Sequence, residues 1–230
     1  MNTVQTPAPG RFPEAAAKFA LPGPAGMLEV ATDVAQADIA RAAIAVICHP
    51  HPLQGGTMTN KVVTMLERAL RELGLATVRF NFRGVGASEG TFDNGAGETE
   101  DALAVARWVQ AVRPRDQLWM AGFSFGSYVA TRVAGLMPVR QLITVAPAVT
   151  RLDFSVVPVP TCPWLVIQGE ADEVVDPHAV YNFVAATRPA PTLVRLPDTG
   201  HFFHGKLIEL RSIVQDRVRA NLPPLADSSA

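Results

Sequence analysis

Short apolar runs alternate along this chain with stretches in which apolar residues recur every third or fourth position. The run 42–49 (AAIAVICH) is continuously apolar and stops at His-Pro, the pattern of a strand covered on both faces. Val62, Leu66, Ala69 or Leu70, and Leu73 then fall at helical spacing, with Thr57 or Thr59 placed to cap and Gly74 to stop the helix. The same alternation continues. Strands are predicted at 75–82, 118–123, 142–149, 164–169 and 192–196. Between them Ala102, Val105, Ala106, Val109 and Val112 mark one helix, ended by Pro114, and Val129, Val133 and Leu136 mark another. A further helix is expected near 177–187. The last is expected over 204–221, with Leu207, Leu210, Val214 and Val218 on one face. Residues 16–21 and 27–33 read as a lead-in hairpin on the sheet edge. The ends, 1–14 with three prolines and 223–230 (PPLADSSA), carry few packing signals and read as mobile tails around one domain, 15–222.

Strand and helix in strict alternation imply βαβ units and a mostly parallel sheet with helices on both faces. In such sheets ligands bind at the carboxyl ends of the strands, so the residues just after each strand carry the chemistry. Gly122-Phe123-Ser124-Phe125-Gly126 stands where a strand gives way to a helix. A serine in that context projects from a tight turn, and the Phe125 N–H can donate to an oxyanion. The hydroxyl needs a base. Of His49, His51, His178, His201 and His204, the last three lie downstream, and His201 falls on a loop between a strand and the last helix. It is favoured over His204, which falls about one turn further on. The acid is sought after 164–169, where GEADEVVDP offers Glu170, Asp172, Glu173 and Asp176. Asp172 falls at the loop turn. Asp176, ahead of Pro177, reads as a helix cap, and Glu170 and Glu173 as solvated. A second oxyanion donor is expected after the first buried strand, in His49-Pro50-His51-Pro52-Leu53. The prolines lack an N–H, which leaves His51 or Leu53.

Composition narrows the alternatives. The chain has 230 residues, 48% hydrophobic and 18% charged, with 20 basic and 21 acidic residues. That composition builds a core and lacks the basic block of a nucleic-acid binder. Two cysteines argue against a disulfide framework. With no signal peptide and no apolar run long enough to span a membrane, a cytoplasmic protein is expected. His-x-His alone is a weak metal signal, so no metal and no cofactor is expected. The glycine-rich 84–90 segment has the spacing of neither a Walker loop nor a dinucleotide fingerprint, and Arg83 within it is expected to tie to local backbone or carboxylates.

These residues resemble the α/β-hydrolase superfamily over nearly the whole chain, about 30 to 220. Asn81-Phe82-Arg83-Gly84-Val85-Gly86-Ala87-Ser88 is similar to its D-x-R-G-x-G-x-S segment, with Asn81 in place of Asp. HPHPLQGGTM (49–58) resembles the HPHP-x-x-GGTM motif of small, lid-free bacterial hydrolases. The resemblance implies the α/β-hydrolase fold, an eight-stranded, mostly parallel sheet with no cap domain, and a triad on Ser124, Asp172 and His201. Dienelactone hydrolases are related but use Cys where this chain has Ser124. The segment between 149 and 164 is too short for a cap, so an open site is expected, with Phe123, Phe125, Phe202, Phe203 and Trp164 as candidates for an apolar acyl pocket. Each of these taken singly reads better as core. The expected activity is hydrolysis of carboxylic esters through an acyl-enzyme, on a small acyl substrate, with no nucleic-acid or membrane partner, by a monomer or homodimer. The rivals are acyl transfer or perhydrolysis on the same triad, and a ligand-binding protein that keeps the fold without catalysis.

Overall fold

The structure is a computed structural model, and it describes residues 8–226. Eight strands form one sheet: β1 (Ala17–Gly23), β2 (Gly26–Asp33), β3 (Ala43–Cys48), β4 (Ala76–Phe80), β5 (Gln117–Phe123), β6 (Gln141–Val145), β7 (Trp164–Gly169) and β8 (Thr192–Leu196). Their order is β1-β2-β4-β3-β5-β6-β7-β8. β2 pairs antiparallel with both β1 and β4, and every other pair is parallel. Five helices connect them: α1 (Lys61–Glu72), α2 (Ala96–Val112), α3 (Phe125–Leu136), α4 (Pro177–Ala186) and α5 (Leu207–Val218). The mostly parallel sheet is the one the alternating pattern predicts, and the whole is the α/β-hydrolase arrangement that the resemblance implies, with no domain inserted between β6 and β7.

Strand alternation explains why the sheet is covered twice. Along β3, Ile44, Val46 and Cys48 face one core, shared with α2, α3 and α4, while Ala43, Ala45 and Ile47 face the other, shared with α1 and α5. β5 divides in the same way, with Met120 on one side and Trp119 and Phe123 on the other. Such doubly buried strands read as unbroken apolar runs. On the second face Leu66 and Leu70 of α1 join Leu210 and Val214 of α5 in one buried cluster.

Several boundaries differ from the sequence reading. Asn60, not Thr57 or Thr59, caps α1, its Oδ1 accepting from Val62 N–H at 2.9 Å. α2 starts at Ala96 rather than near 100, because the Glu98 carboxylate accepts from Asp93 and Gly95 N–H and closes the first turn. α5 starts at Leu207 rather than 204, since positive φ at Phe203 (53°) and Gly205 (70°) keeps the preceding residues in turns. The expected tails are packed where they are described. Phe12 is buried, its ring 5.9 Å from that of Trp108 and under the Arg113 guanidinium, and Trp108 Nε1 donates to Pro9 O. At the other end Ala226 N–H donates to Ala40 O, and Arg41 donates to Pro223 O. The rest of both predicted tails, 1–7 and 227–230, lies outside the described residues. None of the described helices is long and apolar enough to cross a membrane.

Candidate active site

β5 ends at Phe123 and α3 begins at Phe125, so Ser124 is the hinge between them, at φ 55° and ψ −116°. A non-glycine residue held in that region is strained, and such strain persists only where the surroundings impose it. Here they do. Ser124 N–H donates to Val145 O, and Ser127 Oγ donates to Gly122 O and Val145 O. The flanking glycines make the turn possible. A Cβ on Gly122 would sit 2.2 Å from Gly126 O, and one on Gly126 would sit 2.3 Å from Cys48 O. The second contact also shows that the start of α3 presses against the end of β3, where the HPHP loop leaves the sheet.

The loops after β7 and β8 bring two more groups to the same edge. Asp172 Oδ1 accepts from the N–H groups of Val174 and Val175, both at 2.8 Å, and Oδ2 accepts from Gln168 Nε2 at 3.0 Å. That leaves Oδ2 facing His201 Nδ1 at 2.9 Å, and His201 Nε2 stands 3.1 Å from Ser124 Oγ. All three side chains are buried. Burial pushes the Asp172 carboxyl up, but the bonds from His201, Val175 and Val174 outweigh it and hold the group below the usual carboxylate range. Asp172 is therefore ionised at neutral pH, and by accepting from Nδ1 it leaves Nε2 free to accept from the serine. Glu173, expected to be solvated, accepts from His201 N–H at 3.1 Å, and the Phe123 ring lies 5.0 Å from the imidazole.

His204 and His178 stand apart as exposed rings beside Phe202 and Tyr181. Asp176 caps α4 as expected, accepting from His178 N–H, and Glu170 pairs with Arg195. In the HPHP loop, His49 Nδ1 donates to Pro50 O at 2.6 Å and Nε2 accepts from Phe82 N–H at 3.1 Å. Both ring nitrogens are thus used inside the fold. Burial pushes this imidazole down to about 4. The Leu53 N–H is turned to His51 Nδ1 at 3.2 Å. Of the two upstream N–H groups expected as oxyanion donors, that of His51 is the one without a protein acceptor among the described residues. Asn81 fastens the loop from behind: its Oδ1 accepts from Met58 N–H and its Nδ2 donates to Glu29. An Asp at 81 would turn a carboxylate toward Glu29 with nothing to donate. Arg83 makes the expected carboxylate tie, a forked pair with buried Asp101.

Ser124, His201, His51 and Phe125 line one cavity of about 420 Å³. Its apolar wall includes Phe92, Phe125, Leu152, Val174 and Phe202. Phe123 and Phe203, two of the pocket candidates, are fully buried in the α1–α5 core instead, because their positions point them to that face of the sheet. Trp164 belongs to a separate cavity and donates to Thr144 Oγ1. Phe92, Asn94 and Arg151 line the active cavity without having been marked in the sequence.

A sequence model of the X-Pro dipeptidyl-peptidase family (S15) matches residues 40–158, just over half of the chain. A solved structure from Xanthomonas campestris, described as an α/β serine hydrolase without a lid, is 53% identical. It covers 95% of this chain and 100% of that one, with a TM-score of 0.91. The chain belongs to the S15 family of the α/β-hydrolase superfamily. A second α/β serine hydrolase homologue, from Coxiella burnetii, is 47% identical to this hydrolase over 90% of its chain and 99% of the other, with a TM-score of 0.87. An uncharacterized protein of Rickettsia prowazekii is 34% identical to the hydrolase over 204 residues, 84% of this chain and 85% of that one. The absence of an inserted cap between β6 and β7 agrees with the lid-free description of the Xanthomonas structure.

Proposed function

We propose that this serine hydrolase cleaves carboxylic esters, with Ser124 as nucleophile, His201 as general base and Asp172 as the group that orients and stabilises the imidazolium. The observation that carries the reading is the unbroken hydrogen-bonded line from Ser124 Oγ through His201 to Asp172 on the wall of a cavity. His201 Nε2 takes the hydroxyl proton as Oγ attacks the ester carbonyl. The Phe125 N–H, at the first turn of α3, and the His51 N–H receive the developing oxyanion, aided by the positive end of the helix. Collapse expels the alcohol, which takes the proton from His201 and leaves an acyl-serine. Water, deprotonated by His201, then releases the acid and restores Ser124. The Asp172 carboxylate stays ionised throughout.

The test is hydrolysis of p-nitrophenyl esters of increasing acyl length by wild type and Ser124→Ala, with fluorophosphonate labelling alongside. Wild type should turn over at least the short esters, Ser124→Ala should lose roughly 10³-fold or more in kcat, and the label should sit on Ser124. If no ester is cleaved and Ser124 stays unlabelled, a non-catalytic binding role on the same fold takes its place. If the acyl-enzyme forms but passes its acyl group to alcohols or peroxide faster than to water, the reaction is acyl transfer.

A further inference from the structure

The active cavity carries one permanent charge, and it is positive. No Asp or Glu lines it, and Arg151 is its one Lys or Arg. Arg151 lies in the turn after β6, its N–H donating to Ala148 O. Arg71, Arg83 and Arg195 each meet a carboxylate. The Arg151 guanidinium has no hydrogen-bond or ion-pair partner among the described residues. Its neighbour on the wall, His51, is held below the ordinary imidazole value by burial and by Arg151, against the pull of Glu98. It therefore adds no second cation at neutral pH.

An uncompensated cation beside an apolar wall attracts anions and repels cations. A peptidase that measures from a free N-terminus must meet an ammonium with acceptors, and this cavity offers no carboxylate for it. A phosphate dianion calls for more than one positive charge. A single planar guanidinium matches a single carboxylate, which it can grip through two parallel N–H bonds. We propose that Arg151 selects esters that carry a free carboxylate, such as half-esters of dicarboxylic acids, with the chain between the two groups lying on Phe92, Phe125 and Phe202. The proposal rests on the reading of Ser124 as nucleophile and adds the class of substrate.

Monoethyl adipate and ethyl hexanoate are matched in length and differ by a carboxylate in place of a methyl group. Turnover of both is followed by acid release in wild type, Arg151→Gln and Arg151→Lys. Binding of monoethyl adipate and of hexyl phosphate is followed by calorimetry on Ser124→Ala, with and without Arg151→Gln. Wild type should favour the half-ester at least tenfold in kcat/KM. Arg151→Gln should bring the ratio near one, mostly through KM for the half-ester, and Arg151→Lys should keep part of it. A wild-type ratio of one or less, or a ratio that Arg151→Gln leaves alone, overturns the proposal. So does tighter binding of hexyl phosphate, which would make the site a phosphate site. If neither ester is cleaved while Arg151-dependent binding of monoethyl adipate persists, the carboxylate site stands and the esterase reading falls. If that binding is absent, the carboxylate site falls.

Discussion

At the scale of single residues, burial decides which charges matter. Asp101 is fully buried and receives three donors of Arg83, two from the side-chain fork and one from the backbone. Removing it leaves a guanidinium without its partner inside the fold. Asp101→Ala should therefore cost about 3–5 kcal/mol in urea unfolding, whereas Arg83→Met with Asp101→Leu should cost less, since no orphan charge remains. Ser124, Asp172 and His201 were legible because each stands just after a strand in a readable strand-helix series. Chain order then left few candidates. Phe123 and Phe203 were not, because an aromatic side chain beside a catalytic residue does not reveal which face of the sheet it enters. Glu173 reads as solvated in sequence, yet it anchors the His201 backbone through a contact 28 positions away. Arg151 gave no signal, since its meaning comes from the absence of any Asp or Glu among the residues that line the same cavity.

At the scale of elements, the elbow works because α3 and β3 meet through a glycine. Gly126→Ala drives a methyl group into the Cys48 and His49 carbonyls and must separate the helix from the HPHP loop. The expected result is loss of kcat by tenfold or more with KM changed far less, because the proposed oxyanion donors are spread while the cavity wall remains. Steady-state kinetics on the ester series checks it, and near-ultraviolet dichroism confirms that the variant is folded. The strands and helices themselves were legible from periodicity, since most parallel strands here are short apolar runs and α1 to α4 each lie between two of them. Their ends were less so. The start of α2 depends on Glu98 folding back onto two N–H groups, and the start of α5 on turns at Phe203 and Gly205, interactions that no hydrophobic pattern records.

At the scale of the whole molecule, His49 couples folding to acidity. Its ordinary value is 6.5 and its folded value about 4, so between those pH values the unfolded chain binds more protons than the folded one. Stability falls as pH drops through that window, by about 3 kcal/mol if His49 acts alone. The Asp172 contribution has its own window. Its folded carboxyl lies below the ordinary 3.8, so that stability is complete above 3.8 and is lost as pH falls through the lower folded value. Urea midpoints from pH 7 to pH 4 should decline in wild type and decline less in His49→Gln; parallel curves would remove His49 as the cause. The absence of a cap between β6 and β7 was legible from the short 149–164 segment. The packed ends were not, because Phe12 and Pro223 find their partners on Trp108 and Arg41, far away in the chain.

Both oxyanion donors proposed here, the N–H groups of Phe125 and His51, belong to the main chain. No ordinary side-chain exchange deletes them, so the electrostatic half of the site is immune to the usual drift of sequence so long as the turn and the loop keep their shapes. With those shapes kept, one kind of change removes a donor, the loss of an amide hydrogen. Proline at 51 would make that change genetically, and an ester linkage in place of the Pro50–His51 amide would make it by chemical synthesis while leaving every side chain as it stands.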